Sequence, residues 1–482
     1  MSIDLRNFSC ILVPVKKISK NFLSMFISDA ASRIIGFFAT VYIARLLAAE
    51  GFGLISYGLA FLSYALLFAN PGLTTIGARE VAKDTHNRRV VDEILGLRIL
   101  LAIVVFLVLL MCIFIIPGQA TTKRIILFYS LSIFPFAILL EFVFQGREEM
   151  EYIGISRLFQ YGVYIILLFI LVRNSQHVIM VPISFLFGYC AAAVFLIFIF
   201  LYKYRYIKIN FSLGYWRNLL AVSIPVGLAT MFGQVYLSLP PIILGIFHTK
   251  TDVGFFSASY KIIVMLLIID RVLYYVFFPI LTKQYVRAQE RLKDIFSFVV
   301  KVLFTTTIPL TVGGIILGER IIHVIYGVEY AGAFTVFRIL LLYFLIAPLT
   351  TVFGYGLVSI NQEKRFFKVI TIATVVNVVL IVVLGIYFKG SGTAIALLIG
   401  ELVSVILMNR ELQKFVKFET LRHLLKPTLA SLIMALLLFI IRQWHIIVLF
   451  LAGIFIYIII LFLIKGFSRE EFKELKKVFV EQ

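Results

Sequence analysis

Stretches of about 20 mostly apolar residues recur from one end of this chain to the other, and a helix of that length spans the hydrocarbon of a bilayer. They fall at 21–46, 53–78, 93–116, 124–146, 151–172, 178–202, 217–247, 254–282, 295–317, 334–360, 366–388, 391–412, 424–441 and 446–465. No period of two runs through them, and closed barrels lack such long apolar runs. The predicted class is therefore an all-α polytopic membrane protein with about 14 transmembrane helices. Composition agrees, since 62% of the 482 residues are hydrophobic and 15% are charged. Soluble domains run nearer half and a quarter, and disordered chains are far less apolar. Spans longer than about 20 residues imply tilt or kinks, for which Pro71, Pro225, Pro240, Pro241 and Pro348 are the candidate sites.

The charge is lopsided: 45 Lys and Arg against 25 Asp and Glu, a net +20. On a soluble protein this would suggest nucleic acid, but on so apolar a chain the partner is membrane lipid, and no nucleic acid is expected. With the N-terminus cytoplasmic and the spans alternating, roughly 31 of the 45 cations fall inside, about 7 outside and about 7 within spans. The expected location is the cytoplasmic (inner) membrane, with both termini cytoplasmic. From Ser468 the tail sets Phe472, Leu475 and Phe479 on one face, and Ser468 with Glu471 forms a capping box. The expectation there is an amphipathic helix on the inner leaflet.

Residues 1–20 show no signal-peptide order, because the apolar patch Phe8 to Val15 precedes Lys16, Lys17 and Lys20. Cys10, Cys112 and Cys190 are widely separated and the six histidines are scattered. Neither a disulfide framework nor metal-ligand spacing follows, and no cofactor is expected. No Walker signature or Gly-rich phosphate loop is present, so ATP is not the direct energy source.

Two stretches repeat. Gly53-Leu54-Ile55-Ser56-Tyr57 follows the first span, and Gly254-Phe255-Phe256-Ser257-Ala258-Ser259-Tyr260 follows the seventh. An offset of six spans relates the halves by an axis along the membrane normal. The predicted organisation is a cytoplasmic segment (1–20), an N-lobe of spans one to six (21–210) and a C-lobe of spans seven to twelve (211–414). A pair of C-terminal helices (415–465) and the tail (466–482) follow. Two pseudo-symmetric six-helix lobes meeting face to face enclose a central cavity.

A charge at mid-bilayer costs roughly 2.5 kcal/mol or more even on the lenient insertion scale, so each needs a reason. Asp29 and Arg33 are four residues apart on one face of the first span, as a local ion pair or as cavity lining in which Arg33 meets substrate. Lys261, Asp270 and Arg271 lie in the eighth span. Nine residues at about 100° set Asp270 opposite Lys261, while Arg271 falls roughly 80° from Lys261 and can edge the same cavity. Lys261 can also snorkel to the outer end. Glu401 is mid-span in the twelfth helix with Asn377 in the eleventh, either a protonated structural carboxyl or a proton or sodium coupling site. Arg45, Arg98 and Arg338 sit near helix ends, where snorkelling is expected, and Glu141 is placed to pair with Arg147. Deep cations favour an anionic substrate, and Arg suits bidentate contact with phosphate. An exporter of organic cations would show acidic residues instead.

The stretch Ser28-Asp29-Ala30-Ala31-Ser32-Arg33-Ile34-Ile35-Gly36, then Ala44-Arg45-Leu46-Leu47, Gly51-Phe52-Gly53-Leu54, Gly72-Leu73 and Arg79-Glu80-Val81-Ala82, resembles the polysaccharide-repeat-unit (Wzx-type, oligosaccharide) flippases. These belong to the multidrug/oligosaccharidyl-lipid/polysaccharide exporter superfamily. Asp252 to Tyr260, and Tyr326-Gly327 with Tyr330, are similar to that family too. The likeness covers nearly the whole chain, and none of its motifs is catalytic. It implies two six-helix lobes plus two helices, with alternating access that carries a polyprenyl-pyrophosphate-linked oligosaccharide from the cytoplasmic to the outer leaflet. It also implies a cation-lined cavity, with H+ or Na+ coupling in some members. Arg33 fits the pyrophosphate contact, and Lys261 or Arg271 its second-lobe counterpart. Asp29, Asp270 and Glu401 are the ion-pair or coupling candidates. Gln234 is the repeat-equivalent of Arg33, so the basic lining is asymmetric. A monomer is expected, with polysaccharide-assembly proteins as its candidate protein partners. A lipid II flippase or cation-coupled multidrug exporter of the same superfamily is the near alternative. A membrane polysaccharide polymerase fits less well, because the outer loop from Gly318 to Ala333 is short.

Overall fold

Backbone in hydrocarbon must satisfy its own polar groups, and among the described residues of the computed structural model the secondary structure is helical throughout. The structure describes residues 15–84, 88–116, 119–205, 208–287, 292–419 and 421–466. The helices in order are α1 (Val15–Ala69), α2 (Leu73–Lys83), α3 (Arg88–Ile115), α4 (Ala120–Leu131), α5 (Ile133–Ala137), α6 (Glu141–Gly146), α7 (Met150–Leu171) and α8 (Met180–Tyr204). They continue with α9 (Leu213–Phe247), α10 (Lys250–Leu266), α11 (Ile268–Arg287), α12 (Leu292–Tyr326), α13 (Ala333–Ser359), α14 (Glu363–Leu412), α15 (Leu425–Ile440) and α16 (Ile446–Leu463). Phe114, Ile115, Phe462 and Leu463 stand largely outside the packed interior. Apolar surface of that kind belongs against lipid.

Ten helical segments are long and apolar enough to cross a bilayer, and Leu213–Gln234 with Tyr236–Phe247, bent by 61°, makes an eleventh if it is one span. The sequence count is larger for local reasons. Helices α1 and α14 each hold two expected spans, and α15, with 16 residues, is the shorter apolar helix. Helix α1 is interrupted at Ala48 (φ 56°) and α14 at Lys389 (φ 55°), a backbone region unfavourable to residues with a Cβ. In α14 the two arms fold back on each other. Gly385 lies against Thr393, Gly392 against Leu384 and Gly400 against Asn377, contacts that mirror across Lys389 as in an antiparallel hairpin.

Prolines shape the spans unevenly. The chain breaks at Pro71 between α1 and α2, and α9 bends near Val235, between Pro225 and the Pro240, Pro241 pair. Helix α13 runs on through Pro348, and α12 contains Pro309, which the sequence reading passed over.

Contacts divide the chain into two units, residues 1–242 and 243–482. The division falls inside α9, later than the boundary after residue 210 expected from sequence. The start of α9 is strapped to α3 within unit 1. Trp216 Nε1 donates to the Glu93 carbonyl at 3.0 Å, and the Lys208 amide donates to Asp92 Oδ1 at 3.1 Å. The core of unit 1 gathers Leu73, Phe142, Phe144, Leu196 and Trp216, and that of unit 2 Phe296, Leu303, Phe353, Met408 and Leu412. Helices α15 and α16 pack on α12 through Leu317, Met434, Leu438 and Tyr457. The expected inner-leaflet helix after Ser468, and residues 1–14, lie outside the described residues.

Candidate functional site

The expected eighth span is two helices. Leu267 (φ −66°, ψ 1°) separates α10 from α11 by one residue within a single apolar segment, Lys250–Tyr285. Lys261 and Arg271 share accessibility, while Asp270 turns inward.

Asp270 enters a buried polar cluster formed with α13 and α14. Its Oδ2 accepts from Thr351 Oγ1 at 2.9 Å, and its Oδ1 is buried without a hydrogen-bond partner. Glu401, 6% exposed on the second arm of α14, lies beside Thr350 and within electrostatic reach of Asp270. Thr350 Oγ1 itself makes no hydrogen bond of ordinary geometry. Asn377, on the first arm, is fully buried with both amide atoms unpartnered, and a Cβ on Gly400 would collide with it. Each unpaired buried polar group costs about 1–3 kcal/mol, so a packed apolar interior would not keep so many without a use. Oxygen donors from Asp270, Glu401, Thr350 and Asn377 suit a proton or a hard monovalent cation. Among the described residues, no three His, Cys, Asp or Glu gather as a metal site.

In unit 1, Asp29 and Arg33 lie in the helical backbone of α1, and their side chains fall outside the described residues. Two other expectations are corrected. Arg98 does not snorkel: it is 2% exposed and donates through Nη1 to the Leu139 carbonyl at 2.7 Å and through Nη2 to the Phe136 carbonyl at 2.6 Å. These carbonyls are within reach because the fourth span is broken at Ser132 and again from Ile138 to Leu140, where the helical ladder lapses. The guanidinium also lies over the rings of Phe136 and Phe142, at 5.3 and 5.9 Å. Glu141 meets Arg157 of α7, its Oε1 3.7 Å from Arg157 Nε, whereas Arg147 lies 3.6 Å above the Tyr204 ring. Arg157 escaped the sequence reading although a signal was there. Arg157, Gln160, Tyr161 and Tyr164 follow i, i+3, i+4, i+7 and make a polar stripe on a span otherwise read as apolar.

Spanning helices with apolar outer faces and polar, partly accessible interiors define a multi-pass membrane transporter. A profile of the polysaccharide biosynthesis protein family matches residues 18–285, and the chain belongs to that family. The resemblance to the Wzx-type flippases stands with it. Over 401 residues the chain is 24% identical to the "Putative O-antigen transporter" of Escherichia coli (strain K12), covering 81% of this chain and 95% of that one. Over 210 residues it is 25% identical to the "Probable low-salt glycan biosynthesis flippase Agl15" of Haloferax volcanii, covering 43% and 44% of the two chains. Among solved structures, the lipid II flippase MurJ in an inward closed conformation superposes with a TM-score of 0.73 at 17% identity, over 92% of this chain and 98% of that one. An inward-facing multidrug resistance MATE family transporter of the MOP superfamily gives 0.63 at 12% identity, over 80% and 95%. At these identities the likeness is one of fold. The family and these neighbours are transporters and flippases rather than enzymes.

Proposed function

We propose that this polysaccharide flippase carries a polyprenyl-pyrophosphate-linked oligosaccharide from the cytoplasmic to the outer leaflet of the inner membrane by alternating access between its two halves. The observation that supports this most directly is the separation of charge in unit 2, where Lys261 and Arg271 are accessible and Asp270 and Glu401 are withdrawn. A sugar-phosphate head group cannot enter hydrocarbon with its charges and hydroxyls unpaired, so polar side chains must replace water along its path. Arg33, Lys261 and Arg271 are the cations proposed to meet the pyrophosphate, and the polyprenyl tail stays in lipid. An exporter of organic cations would need the reverse arrangement, with carboxylates accessible.

Asp270 and Glu401, with Asn377 and Thr350, are proposed to take up the proton or sodium ion that drives the cycle. Two carboxylates sharing an interior are stabilised by a bound cation, so its arrival and departure can bias the packing of α11 against α13 and α14. Asp29 is proposed to hold Arg33 as its ion partner while the site is empty. The test is flipping of a defined lipid-linked oligosaccharide by the purified protein in proteoliposomes. The proposal predicts transport that falls in Arg271→Ala, whereas wild-type vesicles that leave the lipid on one leaflet contradict it.

A further inference from the structure

The first arm of α14, from Glu363 to the break at Phe388 and Lys389, exposes one stripe. Ile372, Val375, Val379 and Val383 are 42%, 57%, 55% and 45% exposed, at spacings that keep them on one helical face. Lys364 and Lys368, both exposed, continue that face toward the start of the arm in steps of four residues. Lys368 is nine residues before Asn377, about 180° around the helix, and Asn377 packs on Gly400 of the second arm. The stripe therefore faces lipid, away from the packed side of the hairpin. From Ile372 to Val383 it rises about 16 Å, close to half of a hydrocarbon core about 30 Å thick.

The second arm ends its lipid face at the same level. Leu402 and Ile406 are exposed, and Arg410 follows four residues on. Counted from the facing pair Asn377 and Gly400, Lys368 is nine residues back and Arg410 ten residues on. Cations that close both apolar faces at one height mark the plane of the lipid head groups.

Other basic side chains near helix ends have carboxylate partners. Arg79 and Lys83 share Glu80, Lys203 meets Glu149 at 2.9 Å, and Arg365 and Lys414 share Glu411. Lys364 and Lys368 have no acidic residue three or four positions away. Among the described residues neither ammonium forms an ion pair or hydrogen bond. Like charges four residues apart on a helix repel, and snorkelling brings them water but no counter-charge.

We propose that Lys364 and Lys368 bind the phosphate of an anionic bilayer phospholipid, whose acyl chains lie along Ile372, Val375, Val379 and Val383. Charge and shape select this occupant together. A zwitterionic lipid brings its own cation to the lysines, and a free phosphate leaves the apolar stripe unused. The bound lipid anchors the arm that carries Asn377, and so steadies the hairpin that holds Glu401. The site does not rest on the transport reading.

The test titrates the purified full-length protein in detergent with short-chain phosphatidylglycerol, with phosphatidylcholine of the same chains and glycerol phosphate as separate arms. Native mass spectrometry counts the bound lipid, and melting temperature is followed in parallel. Wild type is expected to bind phosphatidylglycerol more tightly than either comparison ligand and to melt higher with it. Lys364→Gln with Lys368→Gln should weaken the first phosphatidylglycerol bound about tenfold or more and leave phosphatidylcholine unchanged. Lys364→Arg with Lys368→Arg should keep the affinity. Arg79→Gln with Lys83→Gln removes as much charge from a compensated cluster and should keep it too. Equal affinities for the two lipids in wild type, or wild-type affinity in the Lys364, Lys368 glutamine variant, overturns the proposal. So does an equal loss in the Arg79, Lys83 variant, or glycerol phosphate bound as tightly as the lipid.

Discussion

The Tyr457 hydroxyl of α16 donates to the Thr305 carbonyl of α12 at 2.8 Å, and that carbonyl is the one Pro309 leaves without an intrahelical donor. The C-terminal pair is thus pinned to the bundle where a proline opens the helix ladder. Tyr457→Phe should cost about 1 kcal/mol in unfolding. In a Pro309→Ala background the restored amide takes over the carbonyl, and the same substitution should become nearly neutral. A double-mutant cycle measured by unfolding in detergent checks this, and an equal cost in both backgrounds refutes the pairing.

The two arms of α14 meet at Gly400 and Asn377, with no room for another carbon. Gly400→Ala should lower stability by about 2 kcal/mol or more despite alanine's better helix propensity. Gly313→Ala is the contrast, since a Cβ there would rest 3.8 Å from Met434 Cε, in ordinary contact. It should be neutral or stabilise by up to about 1 kcal/mol. Melting temperatures of the two variants should move apart.

Arg98 satisfies two carbonyls of a broken span. Arg98→Met takes the donor from the buried Leu139 carbonyl, while the Phe136 carbonyl keeps the Leu139 amide at 3.2 Å, so the cost should be about 1–3 kcal/mol. Its effect should be on melting temperature and yield, measured by unfolding in detergent.

Asp270 and Glu401 carry the coupling proposal. Glu401→Gln and Asp270→Asn should leave flipping in proteoliposomes insensitive to proton or sodium gradients. Gradient dependence equal to wild type in both variants would remove these carboxylates from the coupling account.

Much of the fold was legible because apolar runs of about 20 residues have one stable outcome in lipid. What escaped was the breaking of spans. Leu267 divides the eighth span and Ser132 the fourth without a Gly signal, and Pro348 stands in a continuous helix, because neighbouring side chains re-satisfy or fail to satisfy single backbone groups. The same limit misplaced Arg98: hydropathy places it near a helix end, but only the broken fourth span reveals two carbonyls waiting for it. Glu401 and Asn377 were readable as buried polar residues, and their junction across the α14 hairpin needed the fold. Arg157 was readable from its helical stripe and was hidden by the apolar residues around it.

The most direct test of the account is unidirectional flipping of a fluorescent polyprenyl-pyrophosphate-linked oligosaccharide in proteoliposomes, comparing wild type with Arg33→Ala and Arg271→Ala. The account predicts robust transfer by wild type and at least a tenfold loss in each variant at unchanged expression and melting temperature. Wild-type rates in both variants would contradict a path for the pyrophosphate built on these cations.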